Sequence, residues 1–287
     1  MKKHLLLLGL AFLVLTQCDS QPLEKGLLWK ITGEGLSAPS YLYGTYHMLC
    51  PDDLVISDET KHALSDCEQV VLEMDLDDSG LMLTLQQGMF FQDGTTAGDY
   101  LSEADHALVE AFFAEKMNMP FQPMTSIKPM FLASMTLLYY LECQPSSPEQ
   151  VFAGMASEQE KEVLGLETVA EQIGFMDAIS LEDAAKILVG GIEDLDEGRA
   201  MTGEIVRTYL SGDLEGIQQV IDRHLGNEYA GINEDLILSR NRDWIPKIRT
   251  LIQEKASFIA VGAGHLPGEQ GVIRMLREAG YTVEAVR

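Results

Sequence analysis

A short pattern occurs twice in this chain and sets the strongest limit on its fold. The segments Tyr41-Leu-Tyr-Gly-Thr-Tyr-His47 and Ser257-Phe-Ile-Ala-Val-Gly-Ala-Gly-His265 are each an apolar run that breaks at a glycine, with a histidine three residues later. Such runs predict β-strands, and functional groups in α/β folds collect at the carboxyl ends of strands. Gly-x-x-His also arises by chance, so the competing interpretation is two ordinary strand ends with surface histidines.

A third run places a carboxylate in an otherwise apolar strand. Gln69-Val-Val-Leu-Glu-Met-Asp75 carries Glu73, and burial of a lone carboxylate is costly unless it has a function or a partner. We therefore expect His47, His265 and Glu73 to form one site. Two imidazoles and a carboxylate suit a divalent metal such as zinc, manganese or cobalt, with a position left open for water.

The remaining pattern predicts an α/β fold with a central mixed β-sheet, covering helices and a large helical middle segment. Strands are expected near residues 28, 42, 71, 163, 259 and 283, and a helical layer over about 80–254. The segment Pro129–Glu142 is apolar nearly all round, which predicts a buried helix. We expect one domain over 27–287.

Composition excludes some function classes. The chain has 287 residues, 46% of them hydrophobic, and a formal net charge of −25. These values are typical of a globular protein and argue against binding to nucleic acid or to an anionic lipid surface.

The amino terminus is typical of a targeting segment over residues 1–18. Lys2 and Lys3 precede the apolar stretch Leu5–Leu15, which is too short to span a bilayer as a helix. Cys18 follows directly, as in a bacterial lipoprotein, although Gln17 replaces the usual small residue. We expect a lipid anchor at Cys18 and a tether over 19–26; cleavage by ordinary signal peptidase without a lipid is the alternative.

Three cysteines remain after Cys18. An odd number in an exported chain leaves at least one unpaired. Cys50 and Cys67 flank the helix expected after His47, and in an oxidising cell envelope we expect these two to form a disulfide.

Several segments together resemble the TraB/PrgY/GumN family, which includes the TIKI metalloproteases that cleave Wnt proteins. The similarity runs from about Leu27 to the carboxyl terminus in the order of the family. Met130 departs from it, because an aromatic residue is expected after Lys-Pro. The matching segments are Tyr41–His47, Val70–Asp75, Ile127–Pro129, Gly165–Gln172, Ser239–Arg242 with Trp244, and Val261–Gly268.

The resemblance implies that His47, Glu73 and His265 are the essential, metal-binding set. It extends less directly to Glu167 and Arg240. Glu167 would be a general base or would support the metal ligands, and Arg240 would orient it or bind a substrate carbonyl or carboxylate. The alternative is a buried Glu167–Arg240 ion pair that holds the helical layer to the sheet.

These observations favour an exported, metal-dependent hydrolase of the cell envelope that acts on a peptide or protein substrate. The resemblance also extends to haem-uptake proteins and to proteins that shut down peptide pheromones. A binding protein that sequesters a peptide or haem without cleaving it is therefore the second hypothesis, and a purely structural lipoprotein is the third. Loss of turnover with a chelator would distinguish the first from the second.

Overall fold

A computed structural model describes residues 22–225 and 234–286 of the chain. Within them the strands form one six-stranded sheet with the order β4-β3-β5-β2-β1-β6. This confirms the predicted α/β class and mixed sheet. The strands are β1 (Leu28–Thr32), β2 (Ser40–Thr45), β3 (Gln69–Met74), β4 (Glu162–Glu167), β5 (Ser257–Gly262) and β6 (Thr282–Ala285).

The parallel part of the sheet brings the two repeated motifs side by side. β2 pairs with β5 in parallel, with Tyr41 opposite Phe258 and Thr45 opposite Gly262. β3 pairs in parallel with β5 on its other side and with β4. The antiparallel strand β1 lies between β2 and β6. The carboxyl ends of β4, β3, β5 and β2 therefore share one edge of the sheet.

Helices fill most of the chain between β3 and β5, as the predicted helical segment requires, and β4 interrupts them. Side-chain caps at helix starts fit the sequence, for example Ser102 and Ser180, each of which accepts a hydrogen bond from the third residue of its helix. The α-helices are α1 (Asp58–Asp66), α2 (Leu81–Met89), α3 (Glu103–Ala111), α4 (Pro129–Tyr140), α5 (Pro148–Glu158), α6 (Val169–Asp177), α7 (Leu181–Glu193), α8 (Leu195–Leu210), α9 (Leu214–Leu225), α10 (Ser239–Glu254) and α11 (Val272–Glu278).

Each face of the sheet has its own apolar core. Helices α8 to α11 cover one face, where Trp29 and Trp244 are completely buried. Helices α1 and α5 cover the other, with Phe152 packed between Tyr43 and Phe258. Burial of this apolar surface on both faces fixes the sheet between its helical layers.

Helices α3, α4 and α7 form a third core away from the sheet. The prediction that 129–142 is buried on all sides is only partly right. Leu132 and Ala133 are buried against α7, but Leu137 and Leu138 are 37% and 38% exposed. An apolar sequence does not by itself force burial, because α4 has the third core on one side only.

The predicted Cys50–Cys67 disulfide is wrong. Cys50 instead pairs with Cys143, with an S–S distance of 1.99 Å. Cys67 is a free thiol in the core under α1 and α5, where it is 3% exposed. Its side chain faces the apolar interior, whereas Cys50 lies in a loop whose neighbour Leu49 exchanges backbone hydrogen bonds with Ser146.

The predicted targeting segment, the tether as far as residue 21 and the anchor at Cys18 lie outside the described residues. No helix of 22–225 or 234–286 is long and apolar enough to cross a membrane. The single-domain boundary at residue 27 stays a prediction.

Candidate metal centre

His47 leaves the carboxyl end of β2 and is held from behind by a carboxylate. Its Nδ1 lies 2.6 Å from Oε1 of Glu149 on α5. That oxygen also accepts the Thr45 hydroxyl at 2.5 Å, and Oε2 accepts the Ser147 hydroxyl at 2.6 Å. A carboxylate accepts and does not donate, so the Nδ1 of His47 carries the proton and Nε2 points toward the site.

The charge state of His47 follows from these neighbours. Burial lowers its pKa, but the hydrogen bond to Glu149 and the charges of Glu73 and Glu149 outweigh burial and raise the pKa to about 9. The imidazole side chain is 59% exposed, so water screens part of this shift. The same contact lowers the pKa of Glu149, which burial would otherwise raise.

His265 is oriented by an amide instead of a carboxylate. Asn241 on α10 donates from Nδ2 to the backbone oxygens of His265 and Gln270, at 3.1 and 2.8 Å. Its Oδ1 must therefore face the Nδ1 of His265, 2.7 Å away, and accept a hydrogen bond from the Nδ1–H. Burial lowers the pKa of His265 to about 3. The imidazole is thus neutral, and its Nε2 faces the site, where it accepts Arg240 Nη1 at 3.3 Å; a metal ion at Nε2 would displace this contact.

Glu73 lies between the two histidines. Its Oε1 accepts the Gly262 backbone N–H at 2.7 Å, and its Oε2 accepts Arg240 Nη2 at 2.5 Å and Gln172 Nε2 at 3.2 Å. Burial would raise the pKa of Glu73, but the charges of His265, His47 and Arg240 and the Gly262 N–H together lower it to about 2. Because His265 is neutral at neutral pH, the charges of His47 and Arg240 and the backbone N–H supply the lasting part of this effect.

Arg240 and Glu167 form a closed pair below the site. Arg240 Nε donates to Glu167 Oε1 and Oε2 at 3.0 and 3.1 Å, and Trp244 Nε1 donates to Oε1 at 2.7 Å. The remaining guanidinium protons reach Glu73 Oε2, Glu167 Oε2, Leu236 O and His265 Nε2. Every N–H of Arg240 is therefore occupied. This geometry favours an orienting role for Arg240 over substrate binding, and it leaves Glu167 little capacity to act as a base.

The three predicted metal ligands converge on the backbone of Gly262. His47 Nε2 and His265 Nε2 each lie 3.9 Å from Glu73 Oε1. A Cβ atom on Gly262 would lie 3.2 Å from Glu73 Oε1, 3.3 Å from His47 Nε2 and 3.5 Å from His265 Cδ2. Only glycine leaves this space open.

The donor set fits a divalent cation, although it is not closed around one. As positioned, no group of three or more His, Cys, Asp or Glu side chains in 22–225 and 234–286 forms a metal-binding cluster. Two ligands of a tetrahedral zinc ion lie about 3.4 Å apart, so the observed 3.9 Å separations require closure by about 0.5 Å. Both imidazoles have an Nδ1 partner and an inward Nε2, which is the usual arrangement of metal-bound histidine.

Sequence analysis missed three polar partners at this site, namely Glu149, Asn241 and Ser147. Glu149 follows Ser-Pro in the first turn of α5, where an acidic residue commonly serves as a favourable charge at a helix start. Asn241 lies between two arginines in a helix, within the family-like segment Ser239–Arg242, but nothing in that segment indicates that it contacts a histidine. Only the fold brings these residues behind the histidines.

Comparison with known proteins shows which family and which relatives this chain is similar to. The chain matches the TraB/PrgY/gumN family over residues 27–285. A "Metalloprotease TIKI homolog" of Amphimedon queenslandica is 24% identical to this chain over an alignment of 323 residues. The alignment covers 93% of this chain and 62% of the relative. A protein of the same name from Nematostella vectensis is 26% identical over 173 residues, covering 48% of this chain and 35% of the relative.

The chain thus spans less than two thirds of the length of either relative. No solved structure matches it significantly. The family match includes both Gly-x-x-His motifs and the strands that carry them. The chain therefore belongs to the TraB/PrgY/gumN family.

Proposed function

We propose that this protein is a metal-dependent hydrolase that cleaves peptide bonds. The observation that carries the proposal is the convergence of His47 Nε2, His265 Nε2 and Glu73 Oε1 around Gly262. The similarity to proteins named metalloproteases supports the reaction class.

His47, His265 and Glu73 would hold the ion. A divalent ion bound there supplies a nucleophile by lowering the pKa of a bound water, and it polarises a substrate carbonyl. Manganese, cobalt and zinc all accept this nitrogen and oxygen donor set. Arg240 keeps Glu73 ionised at neutral pH and fixes its orientation through the contact at Oε2.

The remaining polar residues position the ligands. Glu149 holds the Nδ1 proton of His47, and Asn241 holds that of His265, so both Nε2 atoms face the site. Glu167 pairs with Arg240 and Trp244, which ties α10 to the end of β4. We assign Glu167 and Arg240 to positioning, in place of the general base and substrate-binding roles that the sequence left open.

The test is peptide hydrolysis by metal-depleted and metal-restored protein. We expect a fluorogenic peptide mixture to be cleaved only after addition of manganese, cobalt or zinc, and titration calorimetry to show one ion bound per chain. His47→Ala, Glu73→Ala and His265→Ala should each abolish turnover with an unchanged circular dichroism spectrum. His62→Ala is the matched control, because His62 is an exposed histidine outside the site.

Full turnover in the presence of a strong chelator, or in all three site variants, would refute the hydrolase. Binding of peptide or haem without turnover would support the sequestering alternative instead. In that case the affinity should survive metal removal.

We also propose export to the cell envelope with a lipid anchor at Cys18, on the basis of residues 1–18. The Cys50–Cys143 disulfide supports an oxidising compartment. Globomycin treatment or Cys18→Ala should block lipid labelling of the protein. An uncleaved protein in the cytoplasm would contradict this proposal.

A further inference from the structure

A cavity of about 350 Å³ opens directly beside the candidate metal centre. This volume lies at the lower end of the range typical of small-ligand pockets. Two of its walls differ in chemistry. One contains the site residues His47 and Glu73, and the other contains the apolar side chains Leu72, Met74, Leu76 and Met176.

The apolar wall comes from the end of β3 with the segment that follows it, and from α6. Both elements also contribute a residue to the site. β3 ends at Met74, directly after Glu73, and Leu76 lies in the segment that follows; both residues are partly exposed at the carboxyl edge of the sheet. Met176 lies in the last turn of α6, the helix from which Gln172 reaches Glu73. Methionine side chains are flexible and polarisable, so this wall can adapt to apolar groups of different shape.

The charge of the cavity excludes acidic groups. Arg240 and His47 are the basic residues among its described lining residues. All N–H groups of Arg240 are used by protein partners, and His47 Nδ1 is paired with Glu149. The carboxylates of Glu73 and Glu149 both face the same space. A substrate carboxylate would lose its hydration here, find no donor from Arg240 and lie next to like charges.

We propose that this cavity receives a large apolar side chain of the substrate, such as Leu, Met or Phe, and rejects Asp and Glu at the same position. The proposal rests on the proposed peptidase function, because the cavity places that side chain next to the bond presented to the metal centre. The cavity proposal adds a substrate class, namely peptides that carry a large apolar side chain, to the reaction class given by the proposed function.

The test uses fluorescein-labelled peptides with one variable residue in a Gly/Ser background, so that each contains at most one large side chain. The variable residue is Leu, Met, Phe, Ala or Glu. Anisotropy titration of the metal-depleted protein measures binding, and mass spectrometry after addition of manganese measures cleavage. Burial of one large apolar side chain should make the Leu, Met and Phe peptides bind at least about tenfold more tightly than the Glu peptide.

Substitution of the apolar wall should change this preference. Met176→Lys adds a cation to the cavity, so the Glu peptide should bind more tightly than to the wild type and the Leu peptide more weakly. Met82→Lys is the matched control, because Met82 is 73% exposed on α2 and does not line the cavity. Met176→Ala is a milder variant that should reduce the preference for Leu over Ala without adding charge.

The two proposals can fail separately. Three results would overturn the cavity proposal, whether or not cleavage occurs. They are equal binding of the Leu and Glu peptides by the wild type, no measurable binding of any peptide, and an unchanged peptide preference in both Met176 variants. Leu-selective binding without cleavage under any metal would support the cavity and refute the hydrolase.

Discussion

The Cys50–Cys143 disulfide gives a direct test of how the His47 side of the site is held. It joins the loop after β2 to the segment between α4 and α5. Next to it, Leu49 N donates to Ser146 O at 3.0 Å and Ser146 N donates to Leu49 O at 2.7 Å. Beyond these bonds lies the contact between His47 and Glu149. The perturbation is the double substitution Cys50→Ser and Cys143→Ser.

The size of the effect follows from the loop that the bond closes. The cysteines are 93 residues apart in sequence. The chain-entropy relation gives about 4.7 kcal/mol at 25 °C for a loop of this length, and measured values are more often about 2–4 kcal/mol. We therefore expect the free energy of unfolding to fall by about 2–5 kcal/mol. We also expect weaker metal binding, because Glu149 is then less firmly placed behind His47.

Urea denaturation monitored by tryptophan fluorescence measures the loss. The chain has two tryptophans, Trp29 and Trp244, and both are completely buried. The control is Cys67→Ala, which truncates a small buried side chain and should cost about 1 kcal/mol. Non-reducing peptide mapping should recover the Cys50–Cys143 pair.

The opposite pattern would refute this reasoning. A change below about 1 kcal/mol in the double variant would mean that no disulfide stabilises this part of the fold. A loss of about 2–5 kcal/mol in Cys67→Ala would mean that the bond involves Cys67. Unaltered metal affinity in a double variant of reduced stability would mean that the disulfide does not support the site.

Three further predictions concern the polar network. Asn241→Leu leaves the Nδ1–H of His265 unpaired and should weaken metal binding about 10–100-fold; unchanged affinity in calorimetry would contradict the role of Asn241. Arg240→Met leaves Glu73 and Glu167 buried without their cation and should cost about 3–5 kcal/mol in urea denaturation, whereas Arg242→Met, at an exposed ion pair, should cost less than about 0.5 kcal/mol. The pKa of Glu73 is about 2 in the folded protein, below its unfolded value of about 4.3, so the stabilisation present above pH 4.3 is lost as the pH falls toward 2. The loss of unfolding free energy caused by Arg240→Met should therefore become smaller as the pH falls over that range. A loss that does not change with pH would show that Glu73 is not involved. Gly262→Ala should abolish metal binding, because its Cβ would lie 3.2 Å from Glu73 Oε1; retained calorimetric binding would refute the placement of the ion.

Sequence reasoning worked where a residue pattern reports a local structure. Alternating and apolar runs identified all the strands of the described sheet, and the glycines marked where β2 and β5 end. The structure brings His47 and His265 to one edge of the sheet, as expected for residues at strand exits, and their role as metal ligands stays a prediction. Glu73 was identified because an apolar strand seldom carries a carboxylate that has neither a function nor a buried partner.

The errors arose where the answer depends on contacts distant in sequence. Glu149 is 102 residues from His47, and nothing around it indicates that it faces the site instead of solvent. Cys143 is 93 residues from Cys50, whereas Cys67 is near in sequence but faces the core. For Arg240 the sequence left open an orienting role, substrate binding and a buried ion pair with Glu167, because only the fold shows that protein acceptors occupy its whole guanidinium group.

The two glycines of the repeated motif have different neighbours. A Cβ on Gly44 would lie 2.9 Å from Leu266 Cδ1 and 3.3 Å from the Cα of Ala263, both of which follow the second motif's strand. The first motif thus packs against the turn of the second. In evolutionary terms, a larger residue at position 44 requires the side chain at position 266 to shift or to be smaller, so drift in one motif would be confined by the other. Covariation of these two positions is the signature to expect across the family.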